Sequence, residues 1–111
     1  MSRLLELQME HTQRIGEFIG RLILLGYGIT QGEAWRPPEM VAIYAKSGKG
    51  SKNSLHPDRL ANDLNLFKNG KLLTKTEEYQ EAGELWESMG GTWGGRFNDG
   101  NHFSTAFMGR K

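Results

Sequence analysis

From Arg3 to Leu25 the chain carries one long apolar stripe, and everything after it is cut into short pieces by glycine and proline. Ile15, Phe18, Ile19 and Leu22 recur at i, i+3, i+4 and i+7, the spacing that places side chains on one face of a helix. Gly26 and Gly28 then stop it. A chain of 111 residues has room for one modest core, so a single domain over residues 1–111 is expected.

The short pieces read as follows. ITQGEAWR is too broken for a helix and reads as an extended strand ending at Pro37 and Pro38, after which EMVAIYAK forms a short helix. SGKGSKNS is a loop of small residues and lysines. Between Leu60 and Phe67 apolar and polar residues partly alternate, and Asn69-Gly70 supplies the turn to a short returning strand. TKTEEYQEAGELWESMGG is a second helix, with Thr76 as N-cap, acids in the first turn, Leu85, Trp86 and Met89 on the apolar face, and Gly90-Gly91 as the stop. TWGGRFNDGNHFSTAF gives a glycine-rich loop and a closing strand. The sum is an α+β fold with no internal repeat.

Charge and composition exclude several classes of function. Fourteen basic and 13 acidic residues leave a formal net charge of +1, so no strong attraction to nucleic acid or to an anionic membrane is expected. The absence of cysteine removes disulfides and thiolate metal sites. Glu6 and Glu10 interrupt the N-terminal leucines, no signal peptide is apparent, and no apolar run approaches the ~20 residues of a membrane span. A soluble protein made in the cytoplasm is expected. SGKGSK lacks the glycine and hydroxyl spacing of a phosphate loop, and GYGITQG has the wrong spacing for a dinucleotide fingerprint and follows a helix.

Chemistry concentrates in SLHPDRLANDL, residues 54 to 64, where one of three histidines and two of three aspartates fall together. On a continuous helix His56 and Asp63 would stand ~10 Å apart along the axis, and on a continuous strand they would point to opposite faces. A shared ion therefore needs a bend, which Pro57 and Asp58 supply. A second polar pair, Asp99 and His102, precedes the last apolar strand. His56, Asp63 and His102 then match catalytic zinc, with three protein ligands and a fourth position for water, and Asp99 is left over. Taken singly, His56 also reads as a surface or hydrogen-bonded histidine, Asp63 as a solvent-facing strand residue, and Asp99 as a turn aspartate.

The joint pattern of SLHPDRLANDLNLF and ELWESMGGTWGGRFNDGNHF resembles the zinc D-alanyl-D-alanine carboxypeptidase and L-alanyl-D-glutamate peptidase family, in particular its bacteriophage endolysin branch. The resemblance runs from about Ile29 to Phe103. It implies helices packed on a short, mainly antiparallel sheet of the Hedgehog and D,D-peptidase kind. It also implies zinc held by His56, Asp63 and His102, with Asp99 as general base and Arg36 as the arginine upstream of the first histidine. Ser54 and Trp93 are expected at the substrate; Trp86 is expected in the core, Asp58 in a turn, and His11 in a structural role. Two departures stand out: Arg59 replaces a glycine common in relatives, and Ser104 replaces a glutamate that follows the second histidine. If that glutamate orients a ligand, Ser104 does so more weakly or another group takes over.

The function implied is hydrolysis of peptidoglycan stem peptides by a monomeric zinc peptidase, as an endolysin cleaving between L-alanine and D-glutamate. It would reach the wall through a separate membrane pore and make no stable membrane association. The alternatives are a D-alanyl-D-alanine carboxypeptidase and a non-catalytic protein that keeps the fold.

Overall fold

The computed structural model describes residues 2–37, 39–40, 43 and 55–110. Helix α1 spans Arg3–Leu24, its first turn capped by the Ser2 hydroxyl, which accepts from the Leu5 N–H at 3.1 Å. Strand β1 is Gly28–Gln31, β2 Ala61–Lys68, β3 Lys71–Leu72, β4 Thr92–Trp93 and β5 His102–Ser104; helix α2 is Gln80–Ser88. All pairings are antiparallel, in the order β1-β2-β5-β4, with β3 also on β2. The α+β class expected from the sequence is the one observed.

Leu64 and Leu66 of β2 and Phe103 of β5 face the helices, where Phe18 and Leu22 of α1 and Trp86 of α2 close the main core. Phe18 lies 5.0 Å from the Trp86 ring and 4.9 Å from Phe103, centre to centre, within the range in which aromatic pairs attract. A smaller cluster of Leu7, Leu55, Leu60 and Ala61 sits under the amino-terminal half of α1. Because side chains alternate across a strand, Asp63 points away from both helices. The helices thus seal one face of the sheet, and the other is left for chemistry.

Three expectations need correction. ITQGEAWR is strand only through Gln31. The Gly32 N–H donates to the Asp63 carbonyl at 2.7 Å, but the Asp63 N–H returns to Glu33 at 2.8 Å, so two residues oppose one and the strand bulges out of its ladder. The second helix begins later than Thr76: residues Thr76–Tyr79 form a 3-10 turn leading into α2. Thr76 is not its cap; the Glu78 carboxylate reaches back to the Thr74 and Lys75 N–H groups at 3.2 and 3.0 Å. The glycine-rich tail hides the two-residue strand β4 and a 3-10 turn over Gly94–Phe97. Elsewhere the expectations hold: α1, β2, the positive-φ turn at Asn69 and Gly70, and the glycine stop after α2 all stand where expected. Of the short helix expected over residues 39–46, residues 39, 40 and 43 are helical and the remainder lies outside the described residues, as does the loop over residues 47–54. Among the described residues no helix is long and apolar enough to cross a membrane.

His11 pins α1 to the sheet. Arg14 can only donate, and its Nη1 reaches the Thr105 hydroxyl at 2.6 Å. That hydroxyl donates onward to His11 Nδ1 at 2.8 Å, and His11 Nε2–H then donates to Asn62 Oδ1 at 2.8 Å. In this arrangement the bonds run through a neutral imidazole. Burial holds the His11 pKa down at about 4, opposed only in part by the bond to Asn62. The unfolded chain takes up the proton first, so this contribution is complete above about pH 6.5 and is lost as the pH falls toward 4. Between pH 7 and 4 the metal-free wild type should therefore lose on the order of 3 kcal/mol more stability than His11→Gln. Urea unfolding of both proteins at the two pH values measures the difference, and equal losses would place the titration elsewhere.

Candidate metal centre

Asp63 and His102 are brought together by strand register. They are directly paired partners of β2 and β5, so their side chains leave the same face as close cross-strand neighbours. His56 arrives from a 3-10 turn over His56–Asp58, fixed by Leu55 and Leu60, both fully buried on either side of it. The segment released by the bulge at Gly32 completes the enclosure: the Arg36 N–H donates to the His56 carbonyl at 3.4 Å, and His56 Nδ1 donates to the Ala34 carbonyl at 2.9 Å. With Nδ1 carrying the proton, His56 presents Nε2 to the centre as a lone pair.

The three ligand-type atoms converge. His56 Nε2 stands 3.3 Å from Asp63 Oδ1, and His102 Nδ1 stands 3.5 Å from the same oxygen. These separations are long for hydrogen bonds, and Asp63 Oδ1 is buried without one. They match another geometry: nitrogen and oxygen ligands 2.0–2.2 Å from a tetrahedral zinc stand roughly 3.3–3.6 Å apart. All three atoms lie within 4.8 Å of one another, and the group could hold a metal ion. The donor set therefore fits zinc.

The charges respond to this crowding. Burial pushes the Asp63 carboxyl up, but the two imidazoles pull it further down, to about 2. Burial lowers His56, yet the Asp63 carboxylate and the Ala34 carbonyl outweigh it and its pKa rises. Asp99 Oδ2 lies 3.9 Å from His102 Nδ1, with its side chain 51% exposed. Its pKa is raised, by burial first and by the Asp63 charge, against the attraction of His102. Asp99 thus sets a half-exposed carboxyl beside His102 Nδ1.

Arg36 is buried and paired through Nε with Glu33, an acid three residues upstream whose spacing is a readable signal that the sequence analysis missed. The Ala34 carbonyl leaves no such signal, because it is backbone. Ser104 is fully buried, its hydroxyl 3.4 Å from the Thr92 carbonyl. Arg59 has φ 59°, the left-handed region where glycine is at ease; its guanidinium lies 4.9 Å from the centre of the Trp35 ring. Asp58 pairs with Arg110 and holds the turn. Ser54 lies outside the described residues.

Trp93 is not at the cleft. Its ring is 2% exposed and fills a slot between Gly83 and Gly95, where an added Cβ would come within 2.0 and 2.1 Å of the indole. Its Nε1 donates to the Gly100 carbonyl at 2.8 Å, so Trp93 supports from beneath the loop that carries Asp99. The Asp99 N–H is tied to the Gly94 carbonyl at 2.9 Å, and the His102 N–H to the Asp99 carbonyl at 3.2 Å.

A family model described as D-alanyl-D-alanine carboxypeptidase, of the M15 peptidases, matches residues 47–105, more than half of the chain. The chain belongs to the M15 peptidase family. The matched span holds His56, Asp63, Asp99 and His102, all four residues gathered at the centre. No curated protein matches the chain. As an M15 peptidase it belongs to a group that typically uses zinc and acts on peptidoglycan peptides, in keeping with the ligand set above.

Zinc at about a hundred times its dissociation constant should stabilise the wild type by about 2.7 kcal/mol. The gain should shrink as the pH falls and the imidazoles take up protons. His56→Ala and His102→Ala should both lose it. Thermal unfolding with and without zinc reads all three, and a shift that survives in the double variant would put the ion elsewhere.

Proposed function

We propose that the protein is a zinc peptidase that cleaves peptidoglycan stem peptides between L-alanine and D-glutamate, as an endolysin. The observation that carries this reading is the convergence of His56 Nε2 and His102 Nδ1 on Asp63 Oδ1, at 3.3 and 3.5 Å, with the Asp99 carboxylate beside them. When bound, zinc lowers the pKa of a coordinated water to about 7 and polarises a carbonyl. The chain's own residues do the rest. Asp99 Oδ2 accepts the proton of the attacking water and passes it to the leaving nitrogen. Arg36, held by Glu33, offers fixed guanidinium donors to the charge that develops on the carbonyl oxygen. The His56–Ala34 bond keeps the imidazole turned to the centre throughout.

A second reading, removal of terminal D-alanine, is favoured by the description of the matching family model. The short side chain of the proposed base, Asp99, tilts the reading toward the endopeptidase, since the resembling carboxypeptidases usually carry glutamate there. Mass analysis of purified peptidoglycan after digestion separates the two by their fragments. The expected products carry a new amino terminus on D-glutamate; release of D-alanine alone would favour the second reading, and an unchanged digest with zinc bound would overturn both.

The two aspartates should fail differently. Asp99→Asn keeps its shape but cannot take a proton, so it should retain zinc while turnover falls by roughly 10²-fold or more. Asp63→Asn replaces a charged ligand and should lose the metal, with partial recovery in excess zinc. Bound zinc and turnover measured for both in one buffer decide the matter: an Asp99→Asn protein that loses its metal, or cleaves at the wild-type rate, is incompatible with Asp99 as base.

A further inference from the structure

Helix α1 carries a second stripe that the sheet does not cover. Leu7, His11, Phe18 and Leu22 are buried against the domain, whereas Leu5, Met9, Thr12, Gly16, Gly20 and Ile23 follow one another every three or four residues along the other side. At 3.6 residues per turn these six lie within about 80° of one another, and none carries a charge. All six face solvent, with Leu5, Met9 and Ile23 exposed to 45, 45 and 59%. An uncharged stripe of this length on a domain surface marks a contact.

The two glycines sharpen the reading. Glycine inside a helix weakens it relative to alanine, and a Cβ built at Gly16 or Gly20 meets nothing within 4 Å, so the packing of the domain itself requires neither. They leave two hollows in the stripe, where a side chain of another helix can seat.

The occupant follows from the order of large and small residues. Reversed about the level of Arg14, which is midway between Leu5 and Ile23 and between Thr12 and Gly16, the stripe falls on itself. In an antiparallel pair with a two-fold axis at that level, Leu5 of one copy meets Ile23 of the other, Thr12 enters the hollow at Gly16, and Met9 comes within one residue, ~1.5 Å, of Gly20. A parallel pair would set each hollow against itself and align the two helix dipoles. Charge agrees with the antiparallel sense, because Arg21 comes level with Glu6 of the second copy. Glu10 and Glu17 also come level, but each lies beside an arginine of its own helix, Arg3 at 3.9 Å and Arg21 at 2.7 Å. Area sets the strength. A helix of 22 residues is ~33 Å long and about 10 Å wide, so contact along α1 alone stays below the ~800 Å² per partner of a standard interface. That suits a reversible dimer.

We propose that the chain self-associates through this face of α1 as a reversible antiparallel two-fold dimer, in place of the monomer that the family resemblance implies. The inference is independent of the peptidase reading. Because Asp63 and its neighbours lie across the sheet from the helices, both centres of the pair stay open.

Sedimentation of the full chain from about 1 to 500 µM tests this, with a dissociation constant of about 10–100 µM expected for an interface of that size. Ile23→Glu and Gly20→Leu, both at exposed positions, should each weaken the dimer about 10-fold or more and leave zinc binding unchanged. Gly20→Leu should also raise the melting temperature of the dilute chain, since leucine is the better helix former. The chain has no cysteine, so cross-linking reads the direction of the pair: Leu5→Cys mixed with Ile23→Cys under oxidised glutathione should give the mixed disulfide in preference to either homodimer. A chain that stays monomeric at 500 µM, a dimer indifferent to either variant, or Leu5→Cys cross-linking to itself as fast as to Ile23→Cys overturns the proposal. Binding of this face to lipid vesicles without self-association overturns it as well.

Discussion

The pairing of β2 with β5 is the constraint on which both the core and the chemical centre depend. It sets Asp63 opposite His102 and Asn62 opposite Phe103. Because side chains alternate, a slip of one residue would send Asp63 toward the helices and Asn62 toward the ligands. The register is defended from the helical side, where Leu64 and Leu66 are fully buried and Asn62 accepts from His11. The same ladder therefore carries stability on one face and ligand geometry on the other. A variant that loosens the β2–β5 register would lose both together, whereas one on the far side of α1 should touch neither.

Electrostatics give the centre a second dependence. Asp63 is a half-buried carboxylate whose desolvation is offset by two imidazoles, and those imidazoles are the groups that a metal needs in neutral form. Protons and a bound metal would thus compete for one site. The Ala34 carbonyl biases the contest by fixing which His56 nitrogen carries the proton. It can do so only because the bulge at Gly32 throws the following segment across the turn instead of along the sheet. An added Cβ at Gly32 would come within 3.1 Å of the Asp63 carbonyl oxygen, so the bulge and the ligand strand are in direct backbone contact.

What could be read from the sequence was what local spacing determines. The stripe Ile15, Phe18, Ile19, Leu22 specified α1, Asn69-Gly70 specified a turn, and the Pro57-Asp58 bend specified that His56 and Asp63 could meet. His102 followed as a second imidazole before an apolar strand. The features that escaped are settled by tertiary contact. Trp93, followed by Gly94 and Gly95, looks like a cleft aromatic in sequence, and only the approach of Gly83 from α2 forms, with Gly95, a slot for its ring. The cap expected at Thr76 does not form because the chain enters the helix through a 3-10 turn over Thr76–Tyr79, fastened by the Glu78 carboxylate on the Thr74 and Lys75 amides that precede it. Strand β4 is two residues long, too short for alternation to register, and exists because β5 offers it an edge. The bulge at Gly32 depends on a partner strand some thirty residues away.

Arg59 and Trp93 show how differently the two halves of the centre are supported. The His56 turn ends on a residue in the left-handed region, where a side chain costs roughly 1 kcal/mol relative to glycine, and the contact of Arg59 with Trp35 works against that cost. This half tolerates a departure because its ligand is fixed by Leu55, Leu60 and the Ala34 carbonyl, none of which involves the side chain at position 59. The Asp99–His102 half has no such slack. Its loop is held by backbone bonds to Gly94 and by the Trp93 indole on Gly100. A Cβ at Gly94 would come within 2.3 Å of the Asp99 carbonyl oxygen. Sequence change should therefore be absorbed around His56 and resisted around Asp99, which is also where a displacement of an ångström would separate the proposed proton-transfer group from the atoms it would serve.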